Sequence, residues 1–433
     1  TFTWKASQGF EANNYTLLGV NYEHTFSDKL KNSSSVFYNY LDHYEPRPFG
    51  ILNEFTNGYG FRTRFLGSFD VSGITAEYTL GGELLKDEYN WNEFENLYQE
   101  NDGNGSLQGD QFAANKEFRR QFNGFGTLLL PLSDAFSTQL GLNVNKTNYD
   151  FRDLFNSGVD NRNANRRFKT IVLPSLDLSY AFSEDQNLYA NVSRGFSNPN
   201  LEETLTPDGV INPDIAQETG TNYELGTQLY FDDKKLSINL SVYQMDIKNL
   251  LVAERVNEDQ FIGKNAGRTK HQGLELALSY RLDFSSKVQI TPFFNYTLND
   301  HKFVEFLDEG EDFSGNPLTG VPKNRITSGL QMQLFENFYW NTTHQYVGTI
   351  PLTDANSLSS DSFNVVHTRM GYQKKISDKF TLGVDFGINN IFDTVYAQSV
   401  LINTQGFGGR EPRYFYPGDE RNYYGGVRMG FQL

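Results

Sequence analysis

The sequence lacks several features that identify common protein classes. None of its 433 residues is cysteine, which excludes disulfides, thiolate metal sites and cysteine nucleophiles together. No run of about eighteen apolar residues occurs, so helical membrane spans are excluded as well. Lys and Arg number 37 against 53 Asp and Glu, and the resulting net charge of −16 argues against nucleic acid as a partner.

Catalytic motifs are also missing. There is no Gly-x-Ser-x-Gly elbow, no phosphate-binding glycine loop and no His-Glu-x-x-His motif. Scattered Ser, His and Asp residues carry no catalytic information without geometry. We therefore predict that the protein is not an enzyme, with no catalytic residues and no cofactor.

Metal-binding patterns are weak. The six histidines are His24, His43, His271, His301, His344 and His367. Their sequence spacing fits neither a helical nor a hairpin metal pair, so we expect them to be ordinary polar residues. Asp102, Asn104 and Ser106 have the spacing that begins a calcium loop, but Leu107 replaces the required glycine. The sequence predicts no metal site.

Apolar and polar residues alternate along many segments. One face of such a segment carries Leu236, Ile238, Leu240 and Val242, and the other carries Ser237, Asn239, Ser241 and Tyr243. The same pattern places Leu274, Leu276, Leu278 and Leu282 opposite Glu275 and Arg281. A period of two is typical of β-strands, with charges on the face opposite the hydrocarbons.

Segment length distinguishes a membrane barrel from a soluble sandwich. The stretch from Leu236 to about Arg255 contains no Gly or Pro, so we predict one strand longer than the roughly 9–11 residues that cross a bilayer. Short polar turns recur near Asp28, Ser72, Ser133-Asp134, Glu184, Asp232-Asp233, Ser285-Ser286, Glu336-Asn337 and Asp378. The connections between them vary in length, although the connection at residues 11–14 is also short.

Short turns on one rim and long loops on the other are the layout of outer-membrane barrels. The aromatic content of 15%, with 25 Tyr and 37 Phe, suits girdles of rings at the two membrane interfaces. We predict an all-β transmembrane antiparallel barrel of about eighteen strands, multi-pass in the outer membrane of a Gram-negative bacterium. The alternation of Phe2, Trp4 and Ala6 predicts that the first strand begins at the start of the chain.

Several segments, in order, resemble the C-terminal barrel of TonB-dependent outer-membrane receptors. These segments are residues 188–203, 212–215, Glu218, 222–226, 265–267, 273–275, 320–323, Val384, Gly387, 389–393, Tyr396 and 421–427. The match is long and ordered, and its glycines and Asn/Asp/Pro clusters are devices of strand bends and ends. The resemblance identifies fold and family, and it leaves the ligand open.

The family resemblance implies further parts and partners. Family members carry an N-terminal plug domain, a TonB-binding box and usually twenty-two strands. We therefore expect residues 1–433 to be barrel throughout, with the plug and about four opening strands lying outside this chain. The implied partners are the TonB complex, reached through the plug and its box, and an iron chelate or another scarce small molecule.

Two loops offer candidate ligand-binding residues. The loop after Asp160 contains Arg162, Arg166 and Arg167, whose guanidinium forks suit the carboxylate and catecholate oxygens of ferric chelates. A later loop contains Arg410, Arg413, Tyr414 and Tyr416, where aromatic faces suit a flat chelate. An acidic tip of Asp308, Glu309, Glu311 and Asp312 offers cation-mediated contact with lipopolysaccharide, with a solvated loop as the alternative.

Two functions remain open from the sequence. The first is an outer-membrane transporter that imports a ferric chelate or siderophore with energy delivered by TonB. The alternative is a passive eighteen-stranded porin for sugars or other small solutes, constricted by an inward-folded loop such as residues 96–114. The ordered family motifs favour the importer.

Overall fold

The computed structural model describes residues 2–199, 204, 212, 215–257, 260–265, 267–308, 310–335, 337–406, 409 and 411–432. Strands dominate this part of the chain. The helix α1 is Phe2–Ser7, and two short 3-10 helices are Tyr98–Glu100 and Gly158–Asp160. No helix in the described ranges has the length and apolarity needed to cross a membrane.

The strands are long in the first half of the chain. They are β1 Ala12–Ser27, β2 Leu30–Arg47, β3 Gly50–Val71, β4 Ile74–Asn96, β5 Gln108–Pro131, β6 Phe136–Asp153, β7 Ala164–Arg167 and β8 Ile171–Ser183. Between β1 and β5 each strand pairs antiparallel with the next in sequence. The short β7 pairs with the loop-side end of β6.

The second half continues with β9 Gln186–Ser197, β10 Glu218–Phe231, β11 Leu236–Lys248, β12 Leu251–Asn257, β13 Gln260–Asn265, β14 Arg268–Tyr280, β15 Leu282–Ser285, β16 Val288–Glu305, β17 Leu307–Asp308 and β18 Glu311–Asp312. It ends with β19 Asn324–Leu334, β20 Phe338–Val347, β21 Phe363–Ser377, β22 Phe380–Asn389, β23 Ala397–Val400, β24 Phe415–Pro417 and β25 Asn422–Phe431. Three small hairpins, β12–β13, β17–β18 and β23–β24, lie within long connections.

The chain divides into two compact units. Unit 1 contains Thr1–Leu132, Thr138–Leu176 and Asn200–Gln217, and unit 2 contains Ser133–Ser137, Asp177–Pro199 and Glu218–Leu433. Unit 2 is a meander in which β9, β10, β11, β14, β16, β19, β20, β21, β22 and β25 pair antiparallel in that order.

The predicted short turns are confirmed. The turns at Asp28, Ser72, Asp232-Asp233, Ser285-Ser286 and Asp378 lie between strands that pair with each other, for example between β1 and β2 and between β10 and β11. Ser72, Asp232 and Asp233 adopt positive φ, the conformation that tight hairpin turns require. Glu336 lies outside the described residues.

Three predictions about the strand pattern are wrong. Phe2–Ser7 forms the helix α1, and the residues 12–14 belong to β1 rather than to a connection. A six-residue stretch satisfies its backbone hydrogen bonds locally in a helix, whereas a strand needs a partner. The predicted strand from Leu236 to Arg255 is broken at Asn249, whose φ is +55°, and the chain then enters the separate hairpin β12–β13.

The strand count is close to the expectation. In the described ranges nineteen strands form one sheet. With the four-residue β7 set aside and β15 taken as the continuation of β14, seventeen long strands remain. The difference from about eighteen is the helix α1, which occupies the segment predicted as the first strand.

The predicted alternation appears as two faces of each strand. On the apolar face, large hydrophobic side chains such as Leu80, Leu84 and Leu225 are exposed, as lipid-facing residues of a barrel are. On the polar face lie charged and amide side chains, including Asp87 and Arg119 of neighbouring strands. A small core of Phe303, Phe306 and Leu318 packs at the loop side of unit 2.

Candidate functional site

The basic loop after β6 is organised by Asp153. Its carboxylate accepts backbone hydrogen bonds from Phe155 at 3.0 Å, Asn156 at 2.9 Å and Arg162 at 3.2 Å. Burial acts to raise the pKa of Asp153, but the hydrogen bonds from Asn156, Phe155 and Arg162 outweigh it and lower the pKa. A charged carboxylate therefore holds the loop that carries the predicted arginines.

The three arginines of this loop lie apart. In the β6–β7 register Arg166 is opposite Tyr149 and Arg167 is opposite Asn148, so consecutive side chains leave the strand on opposite faces. The Arg166 guanidinium donates to the backbone oxygen of Ile215 and lies 5.3 Å from the Phe168 ring centre. Arg162 and Arg167 are exposed. Arg166 is thus engaged by protein, while Arg162 and Arg167 face solvent.

The second predicted cluster lies in unit 2. Arg413 is exposed, and Tyr416 of β24 is 56% exposed. Tyr414 is half-buried, and its hydroxyl donates to the backbone oxygen of Thr404 at 3.4 Å. Arg410 lies outside the described residues. Of the four predicted residues, Arg413 and Tyr416 therefore have side chains exposed to an incoming ligand.

The acidic tip is only partly described. Glu309 lies outside the described residues. The Asp312 carboxylate accepts the backbone N–H of Ser314 at 2.9 Å, and hydrogen bonds from Ser314 lower its pKa. Asp312 therefore closes its own hairpin.

The polar face of unit 1 is rich in paired charges. Arg119 donates to the Asp87 carboxylate through two nitrogens at 2.8 and 2.6 Å, and Arg47 contacts Glu93 at 2.8 Å. The neighbouring Glu117 is 6% exposed. Arg119 and Arg47 are thereby already engaged with carboxylates of the protein itself.

The polar face of unit 2 carries tyrosine rings that lie over glycines of the adjacent strand. The pairs are Tyr189 with Gly226, Tyr243 with Gly273, Tyr339 with Gly371 and Tyr424 with Gly387. The Tyr189 hydroxyl also donates to Glu224 at 2.7 Å. A ring over a strand glycine fills the space that a side chain would occupy and fixes the register.

A histidine pair on this face was missed by the sequence argument. His271 of β14 and His301 of β16 are direct cross-strand partners, with stacked rings whose centres are 4.5 Å apart. The prediction that no two histidines form a hairpin pair is therefore wrong. The turn that joins the two strands lies near their midpoint in sequence, so spacing rules for short hairpins could not find the pair.

Cations also gather on the apolar face of unit 1. The Phe118 ring is surrounded by the side chains of Lys86, Lys116 and Arg152, at 4.8–5.9 Å from its centre. Below them runs a groove of about 720 Å³ whose lining includes Leu84, Phe122, Lys86, Arg120 and Lys146. This combination of apolar wall and cationic rim lies at the loop-side end of the apolar face.

Comparison with known proteins gives the family. Residues 1–391 match the family model of the TonB dependent receptor-like, β-barrel domain. The ferrichrome outer membrane transporter and phage receptor of Escherichia coli is 25% identical over 239 residues, and the catecholate siderophore receptor Fiu of the same species is 23% identical over 263 residues. These alignments cover 54% and 58% of the chain, and 30% and 32% of the relatives.

Solved structures agree on the fold. The siderophore receptor PiuA from Acinetobacter baumannii superposes with a TM-score of 0.74 at 14% identity, covering 98% of this chain and 65% of that one. The chain thus spans about a third of the curated relatives and less than two thirds of the solved receptor. The predicted fold class, an all-β antiparallel barrel of the outer membrane, is confirmed. The chain belongs to the TonB-dependent receptor β-barrel family.

Proposed function

We propose that the full-length protein imports a ferric chelate across the outer membrane with energy from the TonB complex. The observation that carries this proposal is the family match over residues 1–391, together with relatives named as ferrichrome and catecholate siderophore receptors. A plug domain with a TonB box and further strands, which would complete a twenty-two-stranded barrel, belong to the proposal. The barrel catalyses no reaction in this scheme.

The polar face supplies the wall of the import path. Two arginines of this wall are held by carboxylates, Arg119 by Asp87 and Arg47 by Glu93, so these two side chains offer little free positive charge to an anionic chelate. In the described ranges, exposed guanidinium groups without a carboxylate partner include Arg162, Arg167 and Arg413 in the loops. We assign these three to ligand capture, with Arg166 positioning the loop through Ile215 and the exposed Tyr416 ring contacting a flat chelate.

The experiment measures uptake of a radiolabelled ferric catecholate by cells that produce the full-length receptor. Deletion of TonB should abolish uptake. The double change Arg162→Ala and Arg167→Ala should weaken uptake several-fold, because two unengaged cations are lost, whereas Lys234→Ala at a short turn should leave it unchanged. Uptake that persists without TonB would overturn the importer and support the passive porin.

We also propose that lipopolysaccharide occupies the groove on the apolar face of unit 1. Lipid A combines acyl chains with phosphates, and the groove combines apolar walls with a cationic rim. In the described ranges no carboxylate forms an ion pair with Lys86, Arg120 or Lys146, whereas Lys116 pairs with Glu88 and Arg152 with Asp150. The three cations without an acidic partner suit phosphate in a protein of net charge −16.

The test compares lipopolysaccharide retained by the purified receptor and its variants. Replacing Lys86, Arg120 and Lys146 together by Gln should release most of it, while replacing Lys116 and Arg152 should have a smaller effect. Added lipid A should rebind to the native protein in preference to phosphatidylglycerol. Equal retention by the triple variant, or equal binding of the two lipids, would contradict the assignment.

A further inference from the structure

The cross-strand histidine pair forms the centre of a nitrogen-rich site in unit 2. His271 and His301 are opposite each other in the β14–β16 register, and their rings stack with an interplanar angle of 28°. The Tyr243 hydroxyl, from β11, lies 3.1 Å from Nε2 of His301. The Thr269 hydroxyl lies 3.0 Å from Nε2 of His271. Two imidazoles and a phenol thus converge from three strands.

The surroundings hold this cluster in place. Tyr243 lies over Gly273, and its hydroxyl is within 3.2 Å of the Asn299 side-chain oxygen. Thr269 and Phe303, which are partners in the same register two residues toward the loops, are each 2% exposed. A packed, apolar side therefore limits the access of bulk water and the freedom of the two rings.

One ring nitrogen of the histidine pair contributes no hydrogen bond to the described part of the fold. Nδ1 of His301 is buried, and within the described ranges it has no hydrogen-bond partner. A purely structural histidine usually satisfies both ring nitrogens when buried. If both stacked imidazoles were in the cationic, doubly protonated form, their positive charges would repel each other strongly. At least one ring is therefore neutral, and one of its nitrogens has a lone pair available to a ligand.

The donor set selects a class of ligand. Neutral imidazole and phenol oxygen suit borderline divalent transition metals, whereas calcium and magnesium prefer carboxylates and carbonyls. Nitrogens that share one tetrahedral ion are about 3.3 Å apart. Ring centres 4.5 Å apart place the two imidazoles close enough for one nitrogen of each ring to approach that separation.

We propose that His271 and His301, with Tyr243 as a third donor, bind a divalent transition-metal ion on the polar face of unit 2. Cu²⁺ binds most tightly, followed by Ni²⁺ and Zn²⁺, because nitrogen donors follow that order of affinity. Two or more coordination positions stay open to water or to donors of an incoming molecule. The site stands independently of the proposed transport of a ferric chelate.

The experiment uses the full-length receptor, without an affinity tag, purified from outer membranes in detergent. Copper chloride is the probe, and the electron paramagnetic resonance spectrum of bound Cu²⁺ reports how many imidazole nitrogens coordinate it. The native protein should bind one ion with hyperfine coupling to two imidazoles. His271→Phe and His301→Phe keep a stacked ring and remove the nitrogens, so each should weaken binding at least tenfold.

Three further measurements sharpen the result. The affinity lost in the double variant should be smaller than the product of the two single-variant fold-losses, because either substitution already removes chelation of the ion by both rings. Tyr243→Phe should weaken binding about threefold, and His24→Phe, on a different strand, should change nothing. Heat-dependent mobility in gel electrophoresis verifies that each variant is folded. Copper binding that is unchanged in both histidine variants, or coupling to fewer than two imidazoles, would overturn the proposal.

Discussion

Two kinds of contact join strands on the polar faces, ion pairs and aromatic rings over glycines, and each unit has both: Phe125 lies over Gly81 in unit 1, and Arg369 pairs with Asp385 in unit 2. In unit 1, charges also pair across strands, as Arg119 does with Asp87 and Arg47 does with Glu93. In unit 2, neutral rings also cover glycines, as Tyr189 covers Gly226. Both faces come from the same alternation of residues, so alternation determines which side chains share a face, while residue identity determines how that face is held.

The two units also offer different groups to a ligand. Side chains of unit 1 that are already engaged in ion pairs have less to offer an incoming anion, whereas Arg162 and Arg167 in its loop are exposed. Unit 2 presents uncharged donors as well, among them the stacked pair His271 and His301. Three substitutions compare the contribution of shape at Gly226 in unit 2 with that of hydrogen bonds and charge at Asp153 and Arg119 in unit 1.

The largest effect is expected at Gly226. Gly226→Val places a side chain where the Tyr189 ring lies, so the ring must move and its hydrogen bond to Glu224 is lost. Overpacking of this kind costs about 2 kcal/mol of unfolding free energy. The midpoint of heat-induced unfolding in detergent should fall accordingly.

Gly195→Val is the matched control on the neighbouring strand. A Cβ at Gly195 meets nothing within 4 Å, so the unfolding free energy should change by no more than about 0.5 kcal/mol. Equal destabilisation by the two valines would show that the ring over Gly226 has no special role. Val has a higher intrinsic preference for strands than Gly, so strand propensity cannot be the cause of a stability loss at either position.

A medium effect is expected in the basic loop of unit 1. Asp153→Ala removes the acceptor for the backbone N–H groups of Phe155, Asn156 and Arg162. Much of this loss is local to the loop, so the free energy of global unfolding should fall by about 1.5 kcal/mol, less than at Gly226. Hydrogen exchange of residues 154–163 should accelerate, while Asp150→Ala, which removes only an exposed pair with Arg152, should leave it unchanged.

The smallest effect is expected at Arg119. Arg119→Ala leaves the partly buried Asp87 carboxylate without its main partner, and because Arg119 itself is half exposed the loss is about 1 kcal/mol. The loss should shrink at about 1 M salt, where the screening length is about 3 Å. The effect of Gly226→Val should not change with salt. A salt-independent Arg119→Ala effect would remove the contrast between this ion pair and the ring over Gly226.

The sequence predicted the strands and turns well where local chemistry decides them. Turn residues such as Asp28, Asp232 and Asp378 stand between alternating segments, and both signals are local. The prediction failed at Phe2–Ser7, where six residues fit either period, and at Asn249, where a positive φ ends β11 without a Gly or Pro. A six-residue segment is too short for its periodicity to distinguish helix from strand, and a backbone break at a single residue leaves no periodic signal in the sequence.

The candidate site was predictable only in part. The composition of the loop drew attention to Arg162, Arg166 and Arg167, but the register of β7 against β6 sends Arg166 and Arg167 to opposite faces. Conversely, His271 and His301 looked unrelated, and the β14–β16 register makes them partners. Register depends on pairing between whole strands, which no local motif in these segments specifies.

The sequence by itself determined the alternating strands, the short turns and the family, because these follow from the period of the side chains and from ordered motifs. Tertiary structure alone decided which polar side chains meet. Charge pairs such as Arg119–Asp87, the rings over glycines and the stacked histidines all join different strands, and their contacts exist only once strand register is fixed.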